Sequence, residues 1–183
     1  MKPLPQGKVA FARMWQAHPH NYQGDEDEDT SSEELRQRYG LPGYIENTCA
    51  VRMSIMLNAT GETITPARAR AAGLARRPHY QRKRYYLLSA KEMWTYLTWL
   101  WGKPVQVVPR RGRFTQESEF TAAWLAEVEP RLQRGARGLV AFDKIFTYAG
   151  TGHVDLFDGE HLSDAPAWYP CQRLLLWFVT PPT

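Results

Sequence analysis

Beyond residue 137 the spacing of apolar residues changes from a helical to an alternating or continuous pattern. "GLVAFD", "GHVDLF" and "QRLLLWFV" are short runs rich in branched and aromatic side chains. They predict strands, with a further return strand after Asp158-Gly159. Upstream, helix signals dominate. Residues 8–17 predict a short helix burying Val9, Ala12 and Trp15. Ser31 and Glu34 form a capping box for a helix that closes at Gly40. "NTCAVRMSIMLNATG" has Asn47 or Thr48 as N-cap, no internal Pro or Gly, and Gly61 as its stop. "TPARARAAG" is a small helix with Pro in its first turn. Ser89 and Glu92 open "AKEMWTYLTWLW", which Gly102 and Pro104 end. A helix from Gln116 to Leu132 is shortened or kinked by Pro130, and brief strands are predicted at Tyr85–Leu88 and Val105–Val108. Helices first and strands last define an α+β chain with a mainly antiparallel sheet. With 183 residues, 43% of them hydrophobic, the chain can bury one sizeable core, so residues 1–183 are expected to form a single domain.

Two cysteines, Cys49 and Cys171, provide neither a disulfide framework nor a Cys-x-x-Cys metal pair. Cys49 falls in the first turn of its helix whichever residue caps it. There the helix dipole and unpaired N–H groups favour a thiolate, and the Cys49 N–H points where an oxyanion would develop. A buried structural thiol is the competing reading. Cys171 precedes "LLLWFV" without any capping feature and reads as a structural residue of the terminal sheet. Asn47 reads first as a helix cap and second as an oxyanion donor.

His153 is followed by Asp155, Asp158, Glu160 and Asp164. Taking Asp158-Gly159 as a two-residue type I′ loop pairs Phe157 with Glu160 and places His153 directly opposite Asp164. Opposed residues share a face with Cβ atoms about 4.5–5.5 Å apart, close enough for a carboxylate to orient the imidazole. Asp155 shares that face at i+2 and ranks second. The choice rests on the loop length, since a longer loop shifts the register and reopens it.

The charge of +4 is uneven: "ARRPHYQRKRYY" and "PRRGR" hold eight of the 23 basic residues, whereas "GDEDEDTSSEE" is acidic. Its residues 24–30 read as a solvated loop. One alternative function is therefore a nucleic-acid-binding module using Arg76, Arg77, Arg82, Lys83 and Arg84 with Tyr80, Tyr85 and Tyr86 interleaved. The plainer reading of this stretch is a solvated loop leading into a strand. A metalloenzyme using His18, His20, His153 or His161 is weaker, because the "HPH" spacing is not that of helical ligands. No metal or cofactor is expected. No run of about eighteen apolar residues is present and the N-terminus has no signal-peptide core, so neither membrane insertion nor ordinary signal-peptide export is expected.

"GYIENTCAVRMSIMLNATG", "YYLLSAKEMWTYLTWLWGKP", "RGLVAF" and "GHVDLFDGEHLSD" together resemble, in order and spacing, the type VI secretion amidase effectors of family 4. The resemblance runs from about Gly43 to the final strand. It implies a papain-like, NlpC-type fold in which N-terminal helices, with the catalytic cysteine at a helix start, pack on the sheet that carries the histidine. It also implies a triad of Cys49, His153 and Asp164, with Tyr44 lining the substrate cleft. The implied activity is hydrolysis of the D-glutamyl–meso-diaminopimelate bond of peptidoglycan stem peptides. The implied setting is delivery by the type VI machinery into a target cell's periplasm, with a cognate immunity protein and no nucleic-acid partner. Some members have cysteines flanking the aspartate; "EHLSDAPAWYP" has none, so redox control through that loop is not expected here.

Overall fold

The computed structural model describes residues 4–20, 31–109, 112–148, 150 and 152–180. The expected solvated loop at 24–30, and Arg110 and Arg111 of the basic turn, lie outside the described residues.

The predicted helices form where their local signals place them. They are α1 (Lys8–Ala17), α2 (Ser32–Tyr39), α3 (Cys49–Ala59), α4 (Pro66–Ala71) and α5 (Ala90–Trp101). Ser31, Thr65 and Ser89 each accept a hydrogen bond from the backbone N–H three residues on, at 3.1–3.2 Å. Gly40 closes α2 in the left-handed conformation. The expected face of α1 is corrected. Phe11, Met14 and His18 are buried, whereas Val9 is 70% exposed, Ala12 is exposed and Trp15 is half-buried. Turning Phe11 and Met14 inward removes more apolar area from water than burying Val9 and Ala12 would.

The segment around Pro130 does not stop at the proline. It runs from α6 (Glu117–Ala123) through a π-helical turn, Trp124–Val128, into α7 (Glu129–Gln133). Within it the Glu129 N–H reaches back to the Trp124 carbonyl. A wider turn relieves the clash that the Pro130 ring makes with the carbonyl four residues earlier.

The basic stretch is also corrected. It is a hairpin of β1 (His79–Gln81) and β2 (Arg84–Tyr86), turned at Arg82 and Lys83 with φ of 50° and 61°. Tyr86 is buried against Tyr39 with ring centroids 4.9 Å apart, and Tyr85 packs on the core. Of the three tyrosines proposed as a nucleic-acid stacking platform, only Tyr80 is exposed, at 57%.

The main sheet has the order β3-β6-β4-β5, with β3 (Val105–Val107), β4 (Arg137–Ile145), β5 (Gly152–Phe157) and β6 (Cys171–Thr180), every pairing antiparallel. One face, through Leu139, Ala141, Val154 and Leu156, packs with α1, α3 and α5. The other, through Val140, Phe142, Phe157 and Leu174, packs with Phe120 and Val128. The outer strand β5 is buried along its whole length and carries His153.

Candidate active site

Cys49 is the first residue of α3 and is buried at 2% exposure. Asn47 caps the helix start from two residues upstream, its Oδ1 accepting the Cys49 N–H at 2.8 Å. Thr48 makes no cap; its hydroxyl is within hydrogen-bond distance of the Ser32 hydroxyl at 3.0 Å and accepts from Arg52 Nε at 3.2 Å.

His153 sits opposite Phe142 of β4. Gly152 precedes it at φ 142°, where an added Cβ would lie 2.1 Å from the Phe142 carbonyl oxygen. Only glycine allows β5 to approach β4 this closely at the residue that delivers the imidazole. The ring is wedged edge-on against Tyr169, with centroids 5.6 Å apart. Its Nε2 is 3.2 Å from Asp155 Oδ2, which leaves Nδ1 as the ring nitrogen not engaged by Asp155, and Cys49 acts on the ring as a neighbour. Burial alone would lower the affinity of His153 for its proton. The interactions with Cys49 and with the Asp155 carboxylate outweigh it and hold the imidazole well above its ordinary value.

Asp155 is fully buried and saturated with donors. Its carboxylate accepts from the backbone N–H of Leu156 (2.7 Å), Ser163 (3.1 Å), Asp164 (3.1 Å) and Ala165 (2.9 Å). The Ser163 hydroxyl donates as well. Burial would raise its pKa, but His153, His18 and the Ser163 hydroxyl hold the carboxyl below the usual range.

Asp164 stands elsewhere: Arg52 Nε lies 3.3 Å from its Oδ1, with the Arg52 side chain 0% and the Asp164 side chain 8% exposed. Arg52 is also anchored by Nη1 donating to the Pro19 carbonyl at 2.7 Å. Its desolvation weakens its hold on the proton, opposed by Asp164, Cys49 and Asp155.

This corrects the predicted register. Phe157 bridges Leu162, not Glu160, and Ser163 N–H donates to the Leu156 carbonyl. The loop has four residues, 158–161, and no return strand follows. A type I′ turn needs positive φ at both central residues, and of the two only Gly159 has it. The Asp158 side chain instead accepts the N–H groups of Glu160 (2.9 Å) and His161 (2.7 Å). The pairing slips by two residues and the chain wraps around Asp155, so Asp155, not Asp164, meets the ring.

A cleft of about 450 Å³ opens beside the histidine, lined by Glu46, Asn47, Tyr148, His153, Asp164 and Tyr169 among others. Tyr44, expected in the cleft, is 70% exposed and stands outside this lining. Sequence reasoning missed the roles of Arg52 and Ser163. The signal for Arg52 was a lone cation one turn after Cys49 on an otherwise apolar helix. Cys171 is buried, and burial pushes its thiol up to about 12, as suits an inert structural residue. Among the described residues, no three His, Cys, Asp or Glu side chains converge to hold a metal ion.

His18 is buried beside this cluster with neither ring nitrogen hydrogen-bonded among the described residues. Burial, opposed by Asp155 and reinforced by His20, Arg52 and His153, lowers its pKa to about 3. Between the ordinary histidine value of 6.5 and about 3 the unfolded chain binds a proton that the folded one refuses, so stability falls as the pH falls. Urea unfolding at pH 7 and pH 4 should show His18→Phe losing less stability than the wild type, by about 3 kcal/mol. Equal losses would contradict this account.

A cysteine at a helix start, hydrogen-bonded to a carboxylate-held histidine on an antiparallel sheet, defines a cysteine hydrolase of papain-like α+β architecture. The family model for type VI secretion system amidase effector protein 4, Tae4, matches residues 45–177, and the chain belongs to this family. It is an amidase effector of type VI secretion that hydrolyses peptidoglycan. Similar solved structures include a chain of the Tae4–Tai4 effector–immunity complex from Salmonella Typhimurium, at 23% identity, covering 92% of this chain and 97% of that one with a TM-score of 0.60. The corresponding complex from Enterobacter cloacae matches at 18% identity, 98% and 99% coverage and a TM-score of 0.61. The E. cloacae effector Tae4 alone matches at 19% identity with the same coverage and a TM-score of 0.58. At these identities the likeness establishes the fold. No curated protein sequence matches the chain significantly.

Proposed function

We propose that residues 1–183 form one catalytic domain that cleaves the D-glutamyl–meso-diaminopimelate bond of peptidoglycan stem peptides, with Cys49 as nucleophile and His153 as acid and base. The observation that carries this reading is the imidazole held between the Cys49 thiol and the Asp155 carboxylate at the cleft. The Cys49 thiolate attacks the scissile carbonyl, and the imidazolium protonates the departing amine. Water, deprotonated by the now neutral ring, then releases the acyl group from sulfur. Asp155 fixes the tautomer and stabilises the imidazolium. Asp164, which the family resemblance assigns as the triad acid, lines the cleft in its ion pair with Arg52 and supplies one of the N–H groups that hold Asp155. Digesting purified sacculi and weighing the fragments tests the bond: peptides with a free meso-diaminopimelate amine should accumulate, and fragments from any other cut would refute it.

The site of action is the target cell's periplasm, reached by type VI secretion. The related structures from Salmonella Typhimurium and Enterobacter cloacae are effector–immunity complexes, which supports a cognate immunity protein for this chain too.

Asn47 makes a further demand on this chemistry. An oxyanion can use the Cys49 N–H only if the Asn47 carbonyl oxygen leaves it. Asn47→Asp places a carboxylate on that donor and should lower kcat about 100-fold, comparable to losing one oxyanion donor. Asn47→Ala should keep kcat within several-fold while losing about 1 kcal/mol of stability as a missing cap. Equal kcat values for the two variants would contradict the role.

A further inference from the structure

A second cleft of about 600 Å³ lies on the sheet face away from α3, and no step of the chemistry above uses it. We propose that it binds a saccharide unit of the peptidoglycan strand, a proposal that rests on peptidoglycan being the substrate. Its walls carry Trp124 and Trp168, with ring centroids 6.2 Å apart, and Glu129, Gln133, Arg137 and Glu160. Large aromatic surfaces next to a few polar acceptors suit a pyranose, which offers an apolar C–H face and a rim of hydroxyl and amide donors.

Charge narrows the choice of ligand. The carboxylates of Glu129, Asp158 and Glu160 outnumber the single guanidinium of Arg137. They accept hydrogen bonds from neutral hydroxyls and repel the carboxylates of a stem peptide. The indole N–H of Trp124 is buried without a hydrogen-bond partner among the described residues. Trp124 also opens the π-helical turn, a feature that recurs at functional sites.

The position fits a substrate whose peptide and glycan are covalently joined. Pro166 and Tyr169 line the catalytic cleft, whereas Trp168, between them in sequence, lines the second one. The Phe142 ring touches both sides, 6.1 Å from His153 and 5.8 Å from Trp168 between centroids. A strand anchored on Trp168 would therefore present its stem peptide around a single segment of chain.

The test compares two substrates and one probe. Glu160 and Gln133 are exposed, so the Gln133→Ala/Glu160→Ala double variant tests the cleft without disturbing the core. It should raise KM on intact sacculi about tenfold and leave both kcat and KM on a soluble stem tetrapeptide unchanged. Trp168→Ala should do the same, provided its unfolding midpoint shows that it folds. Tri-N-acetylchitotriose should quench tryptophan fluorescence of Cys49→Ala, and the double variant should abolish the quenching. The saccharide site is overturned by equal KM changes on both substrates, by none on either, or by a cleft that takes the tetrapeptide in place of chitotriose. Cleavage of the soluble peptide by the wild type upholds the amidase reading in each of those cases; failure to cleave either substrate sinks both.

Discussion

Asp155→Asn is expected to lower kcat by about four orders of magnitude with little change in KM, the scale seen when an orienting carboxylate becomes an amide and the imidazole takes the wrong tautomer. The cause is local. Nε2 of His153 has Asp155 as its partner, and an amide there can present a donor where the ring needs an acceptor. Asp164→Asn should cost stability more than turnover, because that side chain neutralises Arg52 and does not meet the ring. Steady-state kinetics and thermal unfolding of the two variants decide the matter. A larger kcat loss for Asp164→Asn would return the orienting role to Asp164.

Arg52→Met should destabilise the protein by about 3–5 kcal/mol, because it breaks an ion pair whose two side chains are 0% and 8% exposed. The loss should reach the active site, since the Asp164 and Ala165 N–H groups hold Asp155. Replacing both partners, as Arg52→Met with Asp164→Leu, removes both charges of the pair and should recover part of the stability. Denaturant unfolding of the two single variants and the double completes the cycle. Additive losses would show that the ion pair is not coupled.

The pattern of success in reading the sequence follows the range of the forces involved. The caps at Ser31, Thr65 and Ser89 are satisfied within three residues, so the helices were legible from short windows. The placement of Cys49 at a helix start and of His153 on a strand was legible for the same reason. The acid was not. The four-residue loop forms because the Asp158 side chain satisfies two backbone donors, and that competition shifted the ladder by two residues. The β1–β2 hairpin was hidden because its turn places Arg82 and Lys83, not glycine or asparagine, at positive φ. Arg52 was visible as a residue but not as a partner, since Pro19 and Asp164 come from distant parts of the chain.

The central claim is that Cys49 is the nucleophile of a peptidoglycan amidase. The most direct measurement is turnover of a stem tetrapeptide by Cys49→Ala and Cys171→Ala beside the wild type, with folding verified by thermal unfolding. The account predicts no detectable hydrolysis by Cys49→Ala and near wild-type turnover by any Cys171→Ala that remains folded. Hydrolysis by Cys49→Ala at a rate comparable to wild type would contradict it.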